Sequence, residues 1–282
     1  MKVVDGHSLY LPKVGNVRAV LHRELVGRIK TVTVSRAWTG KYYASILCDD
    51  GEPMPAAISA IDTDAVVGLD MGLSHLVISS DGYKESNPRF LTQAQANLRR
   101  KQKSLSRKQK GSANRSRARV LVAKVHETVT NARNDCQHKL SKRLIDDNQA
   151  VCVETLTVRH MLKNRNLAKH IADASWRELL RKLGYKARWA GKHFVQVDPW
   201  FASSKTCSAC KAKVDELPLS VRQWRCESCG HEHDRDINAA RNMRQQGILK
   251  LKAAGLSVSA CGGLRKTGVL PAVACEAGSS VL

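Results

Sequence analysis

Four thiols and three carboxylates are the residues of this chain whose type and spacing could do chemistry. Cys207/Cys210 and Cys226/Cys229 are two C-x-x-C pairs with fifteen residues between them, the spacing of a four-thiolate zinc ribbon. With a thiolate at every ligand position and none left for water, one zinc held there would be structural. His231 and His233 follow at once; with four thiols available, they are assigned to surface or nucleic-acid contact. Cys229 precedes Gly230, whereas Cys210 precedes Lys211. The first knuckle therefore puts a side chain into left-handed backbone at a cost of about 1 kcal/mol, which metal binding can absorb.

Seven residues past the last thiol stands Asp236, in Asp234-Arg235-Asp236-Ile237-Asn238-Ala239-Ala240, opening an Ala-rich run expected to be helical and to end near Gly247. Asp70 is the lone acid between two apolar runs in AVVGLDMGLSHLVISS, and Glu154 closes the apolar alternation of QAVCVETLTV. An exposed turn aspartate and a solvated strand-end glutamate are the ordinary readings of such residues. A carboxylate between core strands, however, is costly unless it is paired or binds metal. The three acids stand 84 and 82 residues apart at the ends of well-marked elements, the layout of a site assembled by folding. Converging carboxylates of this kind can hold two Mg²⁺ ions, which need hard oxygen ligands. One ion would activate water and the other steady the leaving 3′ oxygen of a phosphodiester, with no separate protein base. No H-E-x-x-H, G-x-S-x-G or P-loop string competes with this reading.

The elements that must position these residues follow from patterning. Residues 1 to 60 contain SLYLP, VRAVLHREL, KTVTVSRA and KYYASILCD, short strands expected to form part of a small β-barrel, with a hairpin turn at Trp38-Thr39-Gly40. Residues 61–200 are expected to be an α/β nuclease domain. Its strands Val66 to Leu69 and Leu76 to Ile78 pair across Gly72-Leu73-Ser74, and a helical hairpin over 89–145 breaks at Gly111-Ser112. Ser175 and Glu178 have the spacing of a capping box, opening a helix with Trp176, Leu179, Leu180 and Leu183 in the core. A strand within 193–200 leads into the ribbon at 201–233, a last helix at 234–247 and a flexible tail at 248–282. Cys48, Cys136, Cys152, Cys261 and Cys275 are expected to be buried small hydrophobes or tail thiols.

Charge points to the partner. Over 282 residues, 47 Lys+Arg against 25 Asp+Glu give +22, an excess suited to a polyanion. Twelve of the cations, and no acid, lie between Ser86 and His126, whereas a solvated face carries both signs. Arg99, Arg100, Lys101, Lys103, Arg107, Lys108, Lys110, Arg115, Arg117 and Arg119 are therefore expected to contact phosphates, in a manner that weakens with salt. No stretch has the roughly 18 apolar residues of a membrane span and the start has no signal-peptide core. The expectation is a cytoplasmic, nucleoid-associated protein with no membrane partner.

GLDMGLSHLVISSDG, VCVETLTVRHMLKNRNLAKHIADASW, VDPWFASSKTCSAC and HDRDINAARN together resemble the TnpB family, the OrfB-type accessory proteins of bacterial insertion sequences related to type V CRISPR nucleases. The resemblance implies a RuvC-like domain of ribonuclease H fold with an inserted zinc ribbon, with Asp70, Glu154 and Asp236 on the family's catalytic acids. It also implies a Mg²⁺-dependent DNA endonuclease linked to transposition and recombination, with guide RNA and DNA as partners. Base pairing would supply the sequence specificity while the protein reads shape and a short flanking motif, and the basic helices would lie near the heteroduplex. Three departures stand out. The family carries a further N-terminal region, so the chain is expected to be truncated there; Thr155 and Thr157 stand where Asp and Asn are common; and the tail is mostly neutral. Two other readings remain. A strand-transfer transposase is disfavoured by the long, ribbon-bearing gap before Asp236; against a non-cutting nucleic-acid-binding remnant or repressor stands the intact triad, and for it the short N-terminus, which points to loss of targeting. The sequence leaves the oligomeric state open.

Overall fold

Alternating residues near the N-terminus give short antiparallel strands. β1 (Lys2–Asp5), β2 (Ser8–Leu11) and β3 (Gly15–Arg18) form one sheet, and β4 (Arg28–Arg36) and β5 (Tyr42–Asp49) form another. This computed structural model describes residues 2–5, 7–22 and 24–259. Among them the expected barrel is not closed. A barrel needs two neighbours for every strand, whereas β4 and β5 pair only with each other and leave Val34, Tyr42, Tyr43 and Leu47 exposed. The strand expected over 17–25 stops at Arg18, one ladder bond beyond it, from the Ala19 N–H to the His7 carbonyl at 2.7 Å, closing the pair. The 38–40 turn forms as expected, with Gly40 at φ 89°. Glu127 holds it, accepting from Thr39 Oγ1 at 3.0 Å, Tyr43 OH at 3.1 Å and Lys41 Nζ at 3.2 Å. These residues belong to a compact unit of 1–54 with 97–127; a second unit comprises 55–96 with 128–282.

The second unit opens with β6 (Ala60–Asp62), β7 (Val66–Asp70), β8 (His75–Ser79) and β9 (Lys84–Ser86). Helices α1 (Phe90–Ser106) and α2 (Ala113–Asp147) follow, with Gly111 at φ 83° in the break between them. Next come β10 (Ala150–Glu154), α3 (Val158–Met161), α4 (Ala168–Ala174), α5 (Trp176–Trp189) and β11 (His193–Val197). β12 (Gln223–Arg225), β13 (Glu232–Asp234), α6 (Arg235–Ala253) and β14 (Ser257–Ser259) complete the described chain. The sheet order is β11-β10-β7-β8-β9: β10 runs parallel to both β7 and β11, while β8 and β9 are antiparallel.

Side-chain alternation divides the sheet into two dry faces. Val67, Leu69, Val151 and Val153 pack under the C-terminal half of α2 and under α4 and α5, with Leu140, Leu144, Trp176, Leu179 and Leu183. Val66, Ala150 and Cys152 share the other core with Leu251 and Val258. On that second face α6 comes unusually close. A Cβ on Gly68 would sit 2.0 Å from the Ala240 carbonyl oxygen, and one on Gly247 would sit 2.0 Å from Cys152 Sγ.

Two local expectations are overturned. Ser175 is not the N-terminal half of a capping box. It is the C-cap of α4 as well as the first residue before α5, and this junction forces it to φ 53°, where its side chain makes no cap hydrogen bond. Glu178 turns instead to Arg181, 2.9 Å away. Nor does the last helix end at Gly247, a glycine used there for close approach. It runs to Ala253, and Gly255 at φ 81° makes the turn into β14, which pairs with β6. Residues 248–259 are therefore helix and strand rather than tail; 260–282, with Cys261 and Cys275, lie outside the described residues. Cys136 and Cys152 are buried as expected, and Cys48 is half-buried.

Candidate active site and metal centre

Parity places the three acids. On β10, Glu154 follows Ala150 and Cys152 on the α6 face; on β7, Asp70 follows Val66 and Gly68 on the same face. Cys152 pairs with Gly68 and Val153 with Leu69, so the two acids emerge side by side at the carboxyl ends of adjacent parallel strands. Asp236 lies in the first turn of α6. That turn is fixed by Asp234, whose Oδ1 accepts the N–H groups of Asp236 at 3.0 Å and Ile237 at 3.1 Å while Lys84 Nζ reaches its Oδ2 at 2.6 Å. Burial, then the like charges of Asp236 and Glu154, push the Asp70 carboxyl up to about 7, opposed in part by Arg235 and the Met71 N–H. Burial also raises Glu154. Asp236 is bound through Oδ1 to Arg222, 3.2 Å away in the segment between the C-x-x-C pairs. Burial penalises the charges of Asp70 and Glu154, a setting that suits a hard divalent cation, but among the described residues the three acids do not form a group close enough to hold one ion as the four thiols do.

The thiols form a tighter group. Among the described residues Cys207, Cys210, Cys226 and Cys229 are the set whose ligand atoms all lie within 4.8 Å of one another. Cys207 and Cys229 Sγ are 3.7 Å apart, Cys210 and Cys226 Sγ 3.6 Å. Metal–sulfur bonds of about 2.3 Å in a tetrahedron put sulfurs about 3.8 Å apart, so the four thiols fit zinc. Both knuckles are formed: Lys211 N–H donates to the Cys207 carbonyl at 3.0 Å and Gly230 N–H to the Cys226 carbonyl at 2.8 Å. Lys211 sits at φ 69° and Gly230 at φ 72°, the left-handed pair expected from their positions.

His233 does not take the surface role assigned to it. It is buried on β13, its ring tilted against Trp224 with centroids 4.8 Å apart, and its Nε2 lies 3.0 Å from Cys207 Sγ. Its Nδ1 has no hydrogen-bond partner among the described residues. Burial, then His231 and Arg241, lower its basicity, consistent with a neutral ring donating Nε2–H to sulfur.

Several positioning residues escaped the sequence reading. Asn238 and Asn242, one turn apart and buried on α6, donate through Nδ2 to the Thr206 carbonyl at 2.8 and 2.6 Å, and Asn238 Oδ1 accepts from Ser208 N–H at 2.8 Å. They fasten the first knuckle to the helix that carries Asp236. Arg235 Nη1 donates to the Pro218 carbonyl at 2.5 Å, gathering the long loop between the thiol pairs. The signal for the asparagines was present as an i, i+4 pair on an Ala-rich helix; that for Gly68 was a glycine inside an apolar strand.

Of the ten expected phosphate contacts, Arg99, Arg100, Lys103, Arg107, Lys108, Lys110, Arg117 and Arg119 are exposed, and Lys101 is half-buried. None of the ten is paired with a carboxylate among the described residues. Arg115 is different: its Nη1 donates to the Leu105 and Lys108 carbonyls at 3.2 and 2.9 Å, closing the turn between α1 and α2.

Two family models match the two halves of this arrangement separately. Residues 55–165, with Asp70 and Glu154, match the OrfB_IS605 family model, described as a probable transposase. Residues 176–243, with the four thiols and Asp236, match the TNB domain of Cas12f1-like proteins. Over 233 residues the chain is 48% identical to a Streptomyces pristinaespiralis protein named "Putative RNA-guided DNA endonuclease", covering 82% of this chain and 54% of that one. The chain belongs to the TnpB family. InsQ of Escherichia coli (strain K12), which bears the same descriptive name, is 32% identical over 94% of this chain and 66% of its own length. TnpB-like protein L79 of Acanthamoeba polyphaga mimivirus is 32% identical over 131 residues, 44% of this chain and 25% of that protein. The chain thus spans about half to two thirds of the two bacterial relatives.

Proposed function

We propose that this chain is an RNA-guided DNA endonuclease of transposon origin, with a RuvC-like nuclease domain of ribonuclease H fold and a structural zinc ribbon. The observation that supports the reading is the placing of Asp70 and Glu154 on adjacent strand ends facing the helix that carries Asp236, with the charges of Asp236 and Glu154 both acting on the Asp70 carboxyl. In this reading the three carboxylates hold two Mg²⁺ ions, and Cys207, Cys210, Cys226 and Cys229 hold one zinc. The bound Mg²⁺ supplies the Lewis acidity that phosphodiester hydrolysis needs.

The chain's own residues do the rest. β7 and β10 fix two of the acids by register, while the close seat of α6 on Gly68 fixes the third. Asp234 and Lys84 hold the start of α6, and Arg222 orients Asp236 from the ribbon side. The exposed cations of α1 and the start of α2 contact phosphates, and the names of the two bacterial relatives support guide RNA and target DNA as the polyanions concerned.

The test is to purify the chain, sequence the RNA retained with it, and offer a matched DNA target in Mg²⁺. Weak or no guided cutting is expected of this chain alone and robust cutting once it is joined to the rest of a relative's length, with Asp70→Ala, Glu154→Ala and Asp236→Ala each abolishing it while leaving nucleic-acid binding nearly intact. Undiminished cutting by Asp236→Ala would reject the triad. Cutting independent of RNA would reject guidance, and binding without cutting by the unaltered protein of a relative's full length would favour the non-cutting class.

A further inference from the structure

Two residues beyond Glu154, at Leu156, the second unit opens into a cleft of about 740 Å³ between the segment leading into α3, helix α5 and strand β11. Its volume lies in the range of roughly 300–1,000 Å³ that accepts ligands of small-molecule size. Four arginines line it: Arg159, Arg177, Arg181 and Arg188. The last three recur at i, i+4 and i+11 on α5, hence on one helix face. All four are exposed, and among the described residues only Arg181 is paired with a carboxylate, Glu178.

Between the charges lies an aromatic surface. Tyr185 and Phe194 line the cleft, and Gly184 leaves the helix bare opposite Phe194, whose ring atom would be 3.5 Å from an added Cβ. Arg181 stands 5.8 Å from the Tyr185 ring centroid. Tyr185 in turn meets Trp189 edge-on at 4.7 Å, and Trp189 is 63% exposed. Solvated arginines alone would be ordinary decoration. Unpaired arginines interleaved with aromatic faces around a concave surface match what a single strand needs, namely cations for its phosphates and a platform for an unstacked base. A duplex keeps its bases stacked and offers nothing to such a platform.

We infer that this cleft is a binding site for single-stranded nucleic acid, with phosphates on Arg159, Arg177 and Arg188 and a base against Tyr185 and Phe194. The site is separate from the basic helices of 99–119 and does not depend on the acids cutting.

The experiment uses the full chain without added divalent ion and fluorescent twelve-residue strands of dT or rU, each carrying one 5-iodouracil. Ultraviolet cross-links are mapped by mass spectrometry and affinity is followed against salt. Cross-links are expected in the peptide bearing Tyr185 or Trp189, and the more efficient of the two strands tells whether DNA or RNA is the occupant. The cross-links should survive neutralisation of Arg99, Arg100, Lys101 and Lys103. Joint Arg177→Gln and Arg188→Gln changes should lower the slope of log affinity against log salt by about 1.4, at roughly 0.7 per lost contact with a single strand. Tyr185→Leu should reduce the cross-link several-fold at unchanged melting temperature. Mapping on the unaltered chain needs no variant, so it decides the matter even if a substitution fails to fold. Cross-links confined to other segments, or equal competition by duplex DNA or polyglutamate, would overturn the assignment.

Discussion

The thiol cluster draws its ligands from two turns close in sequence, and its four sulfurs lie within 4.8 Å of one another, with Cys207 and Cys226 buried and Cys210 and Cys229 exposed. The carboxylate face draws its three acids from two strand ends and a helix start spread over residues 70 to 236, and burial makes the charges of Asp70 and Glu154 costly. In the first, local backbone geometry makes the site, and the fold is needed only to anchor it through Asn238 and Asn242. In the second, strand register and the seat of α6 make the site, and no segment holds any of it alone. The thiol site should therefore fail as a unit when a ligand is lost. The acid site should fail by misalignment, through residues that touch no metal.

The largest expected effect breaks the first half of that comparison. Cys226→Ser should release zinc and unfold the ribbon, since structural zinc contributes on the order of 10 kcal/mol to such a module. Metal analysis and a melting curve check it, and a stable, zinc-replete variant would contradict it.

Next comes the electrostatic cost of the acid face. Asp70 in the metal-free folded protein keeps its proton up to about pH 7, whereas the unfolded chain releases it near pH 4. The folded state thus binds more protons across that window, so this group's contribution to stability falls as pH rises from about 4 to 7, by on the order of a few kcal/mol. Glu154, also raised by burial, acts in the same direction, while Asp234, held low by Lys84 and the α6 N–H groups despite its partial burial, acts in the opposite one. Melting of the zinc-loaded, Mg²⁺-free protein should be lower at pH 8 than at pH 5.5, with Mg²⁺ narrowing the gap. A gap that Mg²⁺ leaves untouched would place the titration elsewhere.

A smaller effect sharpens the second half. Gly68→Ala should cost about 1–3 kcal/mol by overpacking against Ala240, and cleavage should fall further than stability accounts for because α6 carries Asp236. Rate and melting temperature declining only in proportion would deny the alignment role. The smallest effect is at His233, where His233→Phe keeps a ring but removes the donor to Cys207. Zinc affinity should drop about 10- to 100-fold, as when a metal ligand loses its hydrogen-bonded support, measured by chelator competition and by the absorption of the Co²⁺ form.

The same contrast accounts for what the sequence disclosed. The C-x-x-C pairs, the left-handed Lys211 and the helix opening at Asp236 are local and were legible. Asp70 and Glu154 were legible as acids closing apolar strands, and strand parity alone puts them on one face. Pairing between strands is not local, so KTVTVSRA and KYYASILCD were legible as a hairpin while the barrel drawn around them was not. Gly247 was misassigned because glycine serves both as a helix stop and as a point of close approach, and only the sheet beneath it distinguishes the two. His233 was set aside by counting thiols, a count that says nothing of what must lie behind a thiolate. Arg177, Arg181 and Arg188 were hidden among forty-seven cations, since only the fold puts Phe194 opposite them.

The central claim is that Asp70, Glu154 and Asp236 hold divalent metal together, and binding of Mn²⁺ to the zinc-loaded chain, followed by calorimetry and electron paramagnetic resonance, tests it most directly. The account predicts saturable Mn²⁺ binding in the unaltered chain, competed by Mg²⁺ and weakened about tenfold or more by Asp70→Asn, Glu154→Gln or Asp236→Asn, each worth about 1.4 kcal/mol or more of the shared site. Mn²⁺ binding of undiminished affinity in the Asp236→Asn protein would contradict it.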